Sequence, residues 1–260
     1  MNTPSSIEAR GVRVALGGRW VVDGVDLGAA AGRITAIIGP NGSGKTTLLR
    51  ALAGLTTFEG QVMHGPRNLR DMAPRERAER VAYLPQSSSL SAMLSVREVV
   101  ALARYASHPG VFSRSRRDDV AIERALARTN ILELADAAYP QLSGGQRRLV
   151  LLARALASGA PTLLLDEPTA SLDLRHALSL FALLASLATE GYCIVLVLHD
   201  LDDVQRYAEH AVLLHAGKVR ASGAPSSPNF VGAAEGTYGV SFVDHDRVGF
   251  RLRPDAEGPP

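Results

Sequence analysis

A glycine-rich segment that ends in a lysine carries the clearest chemical signal in this sequence. Residues 39–46 read Gly-Pro-Asn-Gly-Ser-Gly-Lys-Thr and match the spacing G-x-x-x-x-G-K-[ST]. Glycines let the backbone turn its N–H groups toward phosphate oxygens, and a helix that begins there adds partial positive charge. Lys45 can reach the terminal phosphates of a nucleotide, and the Thr46 hydroxyl can ligate Mg²⁺. This phosphate loop predicts a nucleotide and Mg²⁺ without by itself indicating hydrolysis.

Two carboxylates follow an apolar run much later in the chain. Leu163-Leu164-Leu165 leads directly into Asp166 and Glu167. Such runs are typical of parallel strands buried on both faces, and ligands bind beyond the carboxyl ends of those strands. Asp166 can hold Mg²⁺ through a water molecule, and Glu167 can polarise an attacking water as a general base. The alternative is that both carboxylates merely mark a strand leaving the core, but the phosphate loop upstream favours the chemical role.

A second glycine turn lies at residues 143–146, before a predicted helix that runs to about residue 157. Ser143 is suited to cap that helix, and the two glycines expose backbone N–H groups. Glycine turns before helices are common, so the pattern alone is only moderately specific. We predict that this segment is a second anion-binding helix end.

Composition limits the classes of protein to consider. The chain has 260 residues, 46% of them hydrophobic, and its 28 basic and 26 acidic residues give a formal charge of +2. A disordered chain is excluded, and nothing in the net charge indicates nucleic acid or an anionic membrane. A single cysteine, Cys193, excludes an internal disulfide framework and predicts a buried, inert thiol. Residues 1–8 do not resemble a signal peptide, and no apolar run approaches about 18 residues, so we expect a soluble protein of a reducing compartment.

Hydrophobic periodicity predicts the elements that position these residues. A Gly17-Gly18 pair joins the first two predicted strands as a hairpin. The predicted strands are 12–16, 21–27, 34–38, 81–84, 162–165 and 192–198, and the predicted helices are 45–53, 95–105, 118–129, 146–157 and 175–189. A mostly helical stretch from about 88 to 158 interrupts the strand-rich parts. Glycine, proline and serine then replace the periodic pattern, so 223–260 is interpreted as a small C-terminal appendage with a disordered end at 255–260.

Together these motifs resemble the ATP-binding-cassette (ABC) ATPases over residues 10 to 222, in the family's order. In that resemblance, residues 39–46 are the Walker A motif, 163–167 the Walker B motif with its catalytic glutamate, and 142–146 the signature motif. We call residues 143–146 the signature turn. Gln86 is similar to the Q-loop glutamine, a ligand of Mg²⁺ and water. Residues 171–173, Ser-Leu-Asp, resemble the D-loop, and His199 resembles the switch histidine that contacts the γ-phosphate.

The resemblance implies an α/β P-loop NTPase with a RecA-like parallel sheet, an N-terminal antiparallel β subdomain and an inserted α-helical subdomain, all within residues 8–222. ATP and Mg²⁺ are the implied cofactors, with Glu167, His199 and Gln86 as catalytic residues and Thr46, Gln86 and Asp166 around the metal. The implied nucleotide contacts are Gly39, Pro40, Asn41, Gly42, Ser43, Gly44, Lys45, Thr46, Thr47, Asp166, Ser143, Gly144, Gly145, Gln146, Asp173 and Leu16. Two copies would pair head to tail, with the signature turn of one capping ATP on the other.

One position departs from the family pattern. ABC ATPases usually stack adenine on an aromatic residue about 29 positions before the lysine, and here that position falls on Leu16. Trp20 lies four residues further on and could substitute for it. A tryptophan packed in the core or on the surface is the equal alternative.

The chain has one cassette and no predicted membrane segment, and in this family that arrangement resembles bacterial importers with separate membrane subunits. Residues 81–86 (Val-Ala-Tyr-Leu-Pro-Gln), 95–100 and 238–240 (Tyr-Gly-Val) resemble the iron-chelate, haem and vitamin B12 uptake cassettes. This implies a homodimer on the cytoplasmic face of the inner membrane. Its partners would be permease subunits and, through them, a periplasmic or lipoprotein substrate-binding protein, with no nucleic acid.

We expect residues 87–112 to form the groove that receives a permease helix, with Leu90, Met93, Leu94 and Val96 as exposed apolar residues. Ordinary core packing is the alternative for each of them.

Other functions remain open at this stage. An exporter ATPase would carry the same motifs. ABC ATPases that act on nucleic acid or ribosomes have coiled-coil insertions or two cassettes, which this chain lacks. A small-molecule kinase would share the phosphate loop but would leave residues 142–146 and 171–173 unexplained.

Overall fold

The computed structural model describes residues 6–86, 93–105, 115–243 and 249–252. In chain order the strands are β1 (Ile7–Leu16), β2 (Arg19–Ala29), β3 (Arg33–Ile38), β4 (Glu59–His64), β5 (Arg67–Asn68), β6 (Val81–Leu84), β7 (Thr162–Asp166), β8 (Cys193–Val197), β9 (His210–His215), β10 (Lys218–Gly223), β11 (Val240–Val243) and β12 (Gly249–Leu252). The α-helices are α1 (Lys45–Leu52), α2 (Pro74–Arg80), α3 (Val96–Tyr105), α4 (Arg116–Arg128), α5 (Gly144–Ala157), α6 (Leu174–Thr189), α7 (Leu201–Tyr207) and α8 (Pro228–Tyr238). None of the helices in these ranges is long and apolar enough to cross a membrane.

The central sheet has the strand order β10-β9-β3-β8-β7-β6. All its neighbouring pairs are parallel except β9 with the edge strand β10. Strands β7 and β8 are buried at every position, as expected for parallel strands covered on both faces. Because β3, β7 and β8 run in parallel, the segments that follow them emerge at one edge of the sheet. This topology brings the phosphate loop, Glu167 and His199 together.

A smaller antiparallel sheet, of strand order β2-β1-β4-β5, covers one face of the central sheet. Gly17 and Gly18 have φ values of +57° and +77°, as a two-residue hairpin turn between β1 and β2 requires. The inward residues of β1 and β2 share one core with α1 and with the central strands. The phosphate-loop helix α1 is therefore clamped between two sheets.

Helices α3, α4 and α5 form a separate helical layer with its own core, which includes Val99, Ile122, Leu126 and Val150. Helix α5 also contributes Leu151, Leu152 and Ala155 to the core on the other face of the central sheet. It is thus shared between the helical layer and the sheet. Helix α4 begins with a capping box, in which Ser115 and Asp118 satisfy each other's backbone N–H groups.

The C-terminal region contributes to the main core. Phe230 and Ala234 of α8 are buried in the same cluster as the central strands, and α8 contacts β9 and β10. Residues 228–238 therefore pack as part of the core, although the sequence was interpreted as an appendage from 223 onward. The predicted disordered end at 255–260 lies outside the described residues.

The expected permease groove falls mostly outside the described residues, which exclude 87–92 and 106–114 and hence Leu90. Met93 is 81% exposed, and Leu94 is half-buried against the helical core. Val96 is fully buried there, because it opens α3 on the face that packs against α5. The expectation that Val96 is an exposed groove residue was wrong.

Candidate functional site

The phosphate loop connects β3 to α1, and backbone contacts explain its glycines. Gly39 has φ +153°, and a Cβ at this position would overlap the carbonyl oxygen of Leu214. Gly44 has φ +100°, and a Cβ there would lie 2.6 Å from the carbonyl oxygen of Val21. Both positions require a residue without a side chain. By contrast, Gly42 faces open space.

Lys45 is buried within its own loop. Its ammonium donates to the carbonyl oxygens of Gly39, at 2.7 Å, and of Pro40, at 3.0 Å. Burial lowers its pKa, while the carboxylates of Glu167 and Asp166 oppose that shift. The loop therefore holds a positive charge beside two carboxylates, at the N-terminus of α1.

Thr46 and Asp166 meet across the site. The Thr46 hydroxyl donates to Asp166 Oδ1 at 3.2 Å, and the Tyr83 hydroxyl lies 3.4 Å from Asp166 Oδ2. Asp166 is completely buried, and this burial raises its pKa although the hydrogen bond from Thr46 opposes the shift. Burial and the Asp166 charge raise the pKa of Tyr83 to about 12. The Thr46 hydroxyl and the Asp166 carboxylate are oxygen ligands of the kind that Mg²⁺ prefers.

Glu167 is held by two remote side chains. Gln86 Nε2 donates to Glu167 Oε2 at 2.6 Å, and His199 Nε2 lies 2.5 Å from Glu167 Oε1. Glu167 has φ +49°, which is uncommon for a residue with a side chain and costs of the order of 1–3 kcal/mol. Its N–H donates to the carbonyl of Val197 on the neighbouring strand. The structure thus joins the three predicted catalytic residues in one hydrogen-bonded group, the glutamate cluster.

The signature turn lies at the N-terminus of α5. Ser143 Oγ accepts from the Gln146 N–H, and Gln146 Oε1 accepts from the Ser143 N–H, which caps α5. A Cβ at Gly145 would lie 3.2 Å from the carbonyl oxygen of Ser171, in the predicted D-loop. No hydrogen bond among the described residues joins this turn to the phosphate loop. Ser143, Gly144, Gly145 and Gln146 are therefore not hydrogen-bonded to the phosphate loop of their own chain in the part that the structure describes.

Asp173 ends the predicted D-loop and caps α6. Its Oδ1 accepts from the His176 N–H at 2.8 Å and lies 2.7 Å from His176 Nδ1. These hydrogen bonds hold the pKa of Asp173 below its usual range. Ser171 has φ +68°, so the loop leaves the core in a left-handed conformation. The carboxylate is exposed at the same surface as the signature turn.

Leu16 and Trp20 lie at the β1–β2 hairpin, and each is about half exposed. The guanidinium of Arg13 lies 5.7 Å from the Trp20 ring centre and pairs with Asp23 at 3.0 Å. Trp20 is therefore a surface residue packed against Arg13 rather than part of the core.

Sequence reasoning missed two residues of this region. Tyr83 lies in a correctly predicted strand, but its contact with Asp166 depends on the pairing of β6 with β7. Arg148 is buried beneath the glutamate cluster, and burial lowers its pKa. Its only sequence signal is an arginine that leads an apolar run in α5.

The amino-acid sequence of the chain matches the model of a known protein family. The family model for ABC transporters matches residues 22–170, more than half of the chain. The chain belongs to the ABC transporter family. It is an ATP-binding cassette of the ABC ATPase type, with the α/β P-loop fold that its motifs predicted.

Curated relatives of this ABC cassette span almost its whole length. It is 44% identical to the hemin import ATP-binding protein HmuV of Streptomyces coelicolor, over 94% of this chain and 88% of the relative. It is 40% identical to the ferric enterobactin transport ATP-binding protein FepC of Escherichia coli, over 92% and 89% of the two chains. It is also 39% identical to the cobalamin import ATP-binding protein BtuD of Halobacterium salinarum, over 85% of this chain and 56% of that longer relative.

Solved structures agree with this assignment. A dimeric bacterial ABC transporter cassette matches with a TM-score of 0.76 and 28% identity, covering 85% of this chain and 99% of that one. A dimeric cassette in a post-hydrolysis state, bound to ADP and Pi, matches equally well at 27% identity, with the same coverage.

Proposed function

We propose that this ABC cassette hydrolyses ATP to energise import of an iron chelate, haem or a cobalamin-like cargo through a separate permease. The proposal that the cassette hydrolyses ATP rests on the glutamate cluster, in which Gln86 and His199 contact the two carboxylate oxygens of Glu167. The cargo class rests on the relatives named for hemin, ferric enterobactin and cobalamin transport.

In the proposed reaction a water oxygen attacks the γ-phosphorus of ATP. Glu167 accepts the proton of this water, and the bond between the γ-phosphorus and the β,γ-bridging oxygen breaks, which releases ADP and phosphate. Gln86 and His199 orient the accepting carboxylate. Glu167 itself has a left-handed backbone, a conformation that is uncommon for a residue with a side chain and is found most often at functional sites.

The phosphate loop binds the nucleotide in this proposal. Its N–H groups and Lys45 contact the phosphates, with Pro40, Asn41, Ser43 and Thr47 forming the rest of the cradle. Thr46 and Asp166, with Gln86, would hold Mg²⁺, and the hydroxyl–carboxylate pair at 3.2 Å fits that ion's preference for oxygen. When bound, Mg²⁺ neutralises charge on the phosphate oxygens.

A second copy of the chain completes the proposed site. The signature turn and Asp173 lie at one surface, and no hydrogen bond among the described residues joins them to their own phosphate loop. Head-to-tail pairing would place Ser143 and Gly145 of one copy over ATP held by the other. Dimeric cassette structures of this family support that arrangement.

The permease would anchor this dimer at the cytoplasmic face of the inner membrane. A periplasmic or lipoprotein substrate-binding protein would deliver the cargo to the permease. Both partners are inferred from relatives whose names describe import.

The proposal is tested by recovering tagged Glu167→Gln protein from its native membrane with ATP present, and with ADP as the matched control. We expect a polytopic membrane protein to co-purify in the ATP sample, and the cargo-binding protein to be identified through it. Recovery of a dimer without any membrane protein, or with nucleic acid, would contradict the transport function.

A further inference from the structure

Arg148 makes an unusual set of contacts beneath the glutamate cluster. It lies on α5, two residues after the signature turn, and is only 6% exposed. Its Nε donates to the carbonyl of Pro168, at 3.3 Å. The acceptors of its two terminal nitrogens are the carbonyls of Pro85, Gln86, Asp166 and Glu167. A guanidinium has five N–H donors, and these five carbonyls use all of them.

The acceptors belong to two segments that are remote in sequence. Pro85 and Gln86 directly follow β6, and Asp166 is the last residue of β7, with Glu167 and Pro168 directly after it. These are the backbone segments that carry the side chains of Gln86 and Glu167. Arg148 therefore joins the two supports of the glutamate cluster to each other and to α5.

Only an arginine can make this connection. The planar guanidinium spreads its donors over three nitrogens, so it can bind two chain segments on either side at once. A lysine would offer three donors from a single nitrogen. The acceptors are all neutral carbonyls, so the group orients backbone rather than pairing with a carboxylate.

We propose that Arg148 is a positioning residue that fixes Gln86 and Glu167 for hydrolysis and couples their placement to the signature turn on the same helix. The inference rests on the proposed role of Glu167. Within a head-to-tail dimer, the signature turn of one copy faces the nucleotide of its partner. When the partner's nucleotide displaces α5 of one copy, Arg148 would transmit this shift to the glutamate cluster of the same copy. That cluster acts on the nucleotide bound by its own phosphate loop.

The test compares Arg148→Lys and Arg148→Met with a matched control, Arg104→Met. Arg104 is also partly buried and donates to the carbonyls of Ala157 and Ser158, at the other end of α5. We expect kcat for ATP hydrolysis to fall at least about tenfold in Arg148→Met and several-fold in Arg148→Lys, since small misplacements of reacting groups cost that much. The Kd for MgATP should change less than about threefold, because the five hydrogen bonds of Arg148 all go to carbonyls outside the phosphate loop.

We expect Arg104→Met to lower the melting temperature and to leave kcat within about twofold of that of the parent protein. Arg148→Lys keeps the charge and most of the volume, so it preserves a folded protein if Arg148→Met does not fold. Full kcat in folded Arg148→Lys and Arg148→Met, with Glu167→Gln inactive, would overturn this inference and leave the proposed function standing. Full turnover in Glu167→Gln would instead contradict the proposed function.

A double-mutant cycle separates positioning from a general structural effect. If Arg148 acts through Glu167, Arg148→Lys should reduce the residual turnover of Glu167→Gln by less than about twofold. A reduction by the same factor as in the parent protein would show independent effects and would overturn the inference.

Discussion

The phosphate loop and the glutamate cluster lie at the same edge of the sheet but are built differently. The loop is one continuous segment, and its shape follows from glycines whose close backbone contacts exclude a side chain. The cluster assembles Gln86, Glu167 and His199 from three separate strand ends, with Arg148 beneath them. The first region depends on local sequence and the second on tertiary packing. Binding and turnover should therefore be separable by mutation.

Removing the carboxylate at the centre of the cluster should have the largest effect. Glu167→Gln keeps the side-chain shape but cannot accept a proton from water. We expect kcat to fall on the order of 10²-fold or more, while the Kd for ATP stays within a few-fold. Steady-state hydrolysis and equilibrium nucleotide binding measure the two quantities. Full turnover in this variant would remove Glu167 from the role of base.

Substitution of Lys45 is expected to weaken the binding of ATP itself. Lys45→Ala removes a charge-assisted contact with phosphate, which is worth about 1.5–3 kcal/mol, so ATP affinity should fall about 10- to 100-fold. Equilibrium binding of a fluorescent ATP analogue checks this. Unchanged affinity would contradict the assignment of the phosphate loop.

Two glycines of the loop provide a matched pair. Gly39→Ala places a Cβ against the Leu214 carbonyl, whereas Gly42→Ala places it in open space. Both positions have positive φ, so both variants carry backbone strain of about 1 kcal/mol. We expect about tenfold or greater loss of ATP affinity only in Gly39→Ala. Equal losses in both would show that backbone strain rather than close packing sets the loop's shape.

The smallest expected effect is a pH-dependent loss of folding stability that arises from His64, near the phosphate-loop helix α1. His64 is buried behind α1, and burial lowers its pKa from 6.5 to about 4, although a hydrogen bond with the Leu52 backbone opposes the shift. Between these values the unfolded chain binds more protons, so stability is full above pH 6.5 and falls as the pH drops toward 4. We expect a loss of about 1–2 kcal/mol between pH 7 and pH 5. Urea unfolding at both pH values measures it, and His64→Gln should lose less. An equal loss in that variant would exclude His64 as the cause.

The same contrast explains what the sequence could predict. The strand–loop–helix around residues 39–46 and the apolar run before Asp166 have strong local patterns, and the structure confirms β3, α1 and β7 within one residue. Four of the eleven residues of helix α8 are alanine or glycine, and only Phe230 and Ala234 are buried, so its periodicity was too weak to recognise.

Contacts made through tertiary packing could not be predicted. Tyr83 reaches Asp166 only because β6 pairs with β7, and Arg148 meets five carbonyls from two segments that are separated by about 80 residues. Val96 was taken for a surface residue because a single apolar position at a helix start does not reveal which face is covered. Such cases require the packed structure rather than a local pattern.

The most direct test of this account is the molar mass of Glu167→Gln protein in solution, measured by light scattering with and without MgATP. Because Glu167→Gln should leave nucleotide binding intact while preventing hydrolysis, we expect a monomer that becomes a dimer when ATP is added. The same sample with ADP should remain monomeric. A mass that does not change with ATP, in protein that binds ATP normally, would contradict a site completed by the signature turn of a second copy.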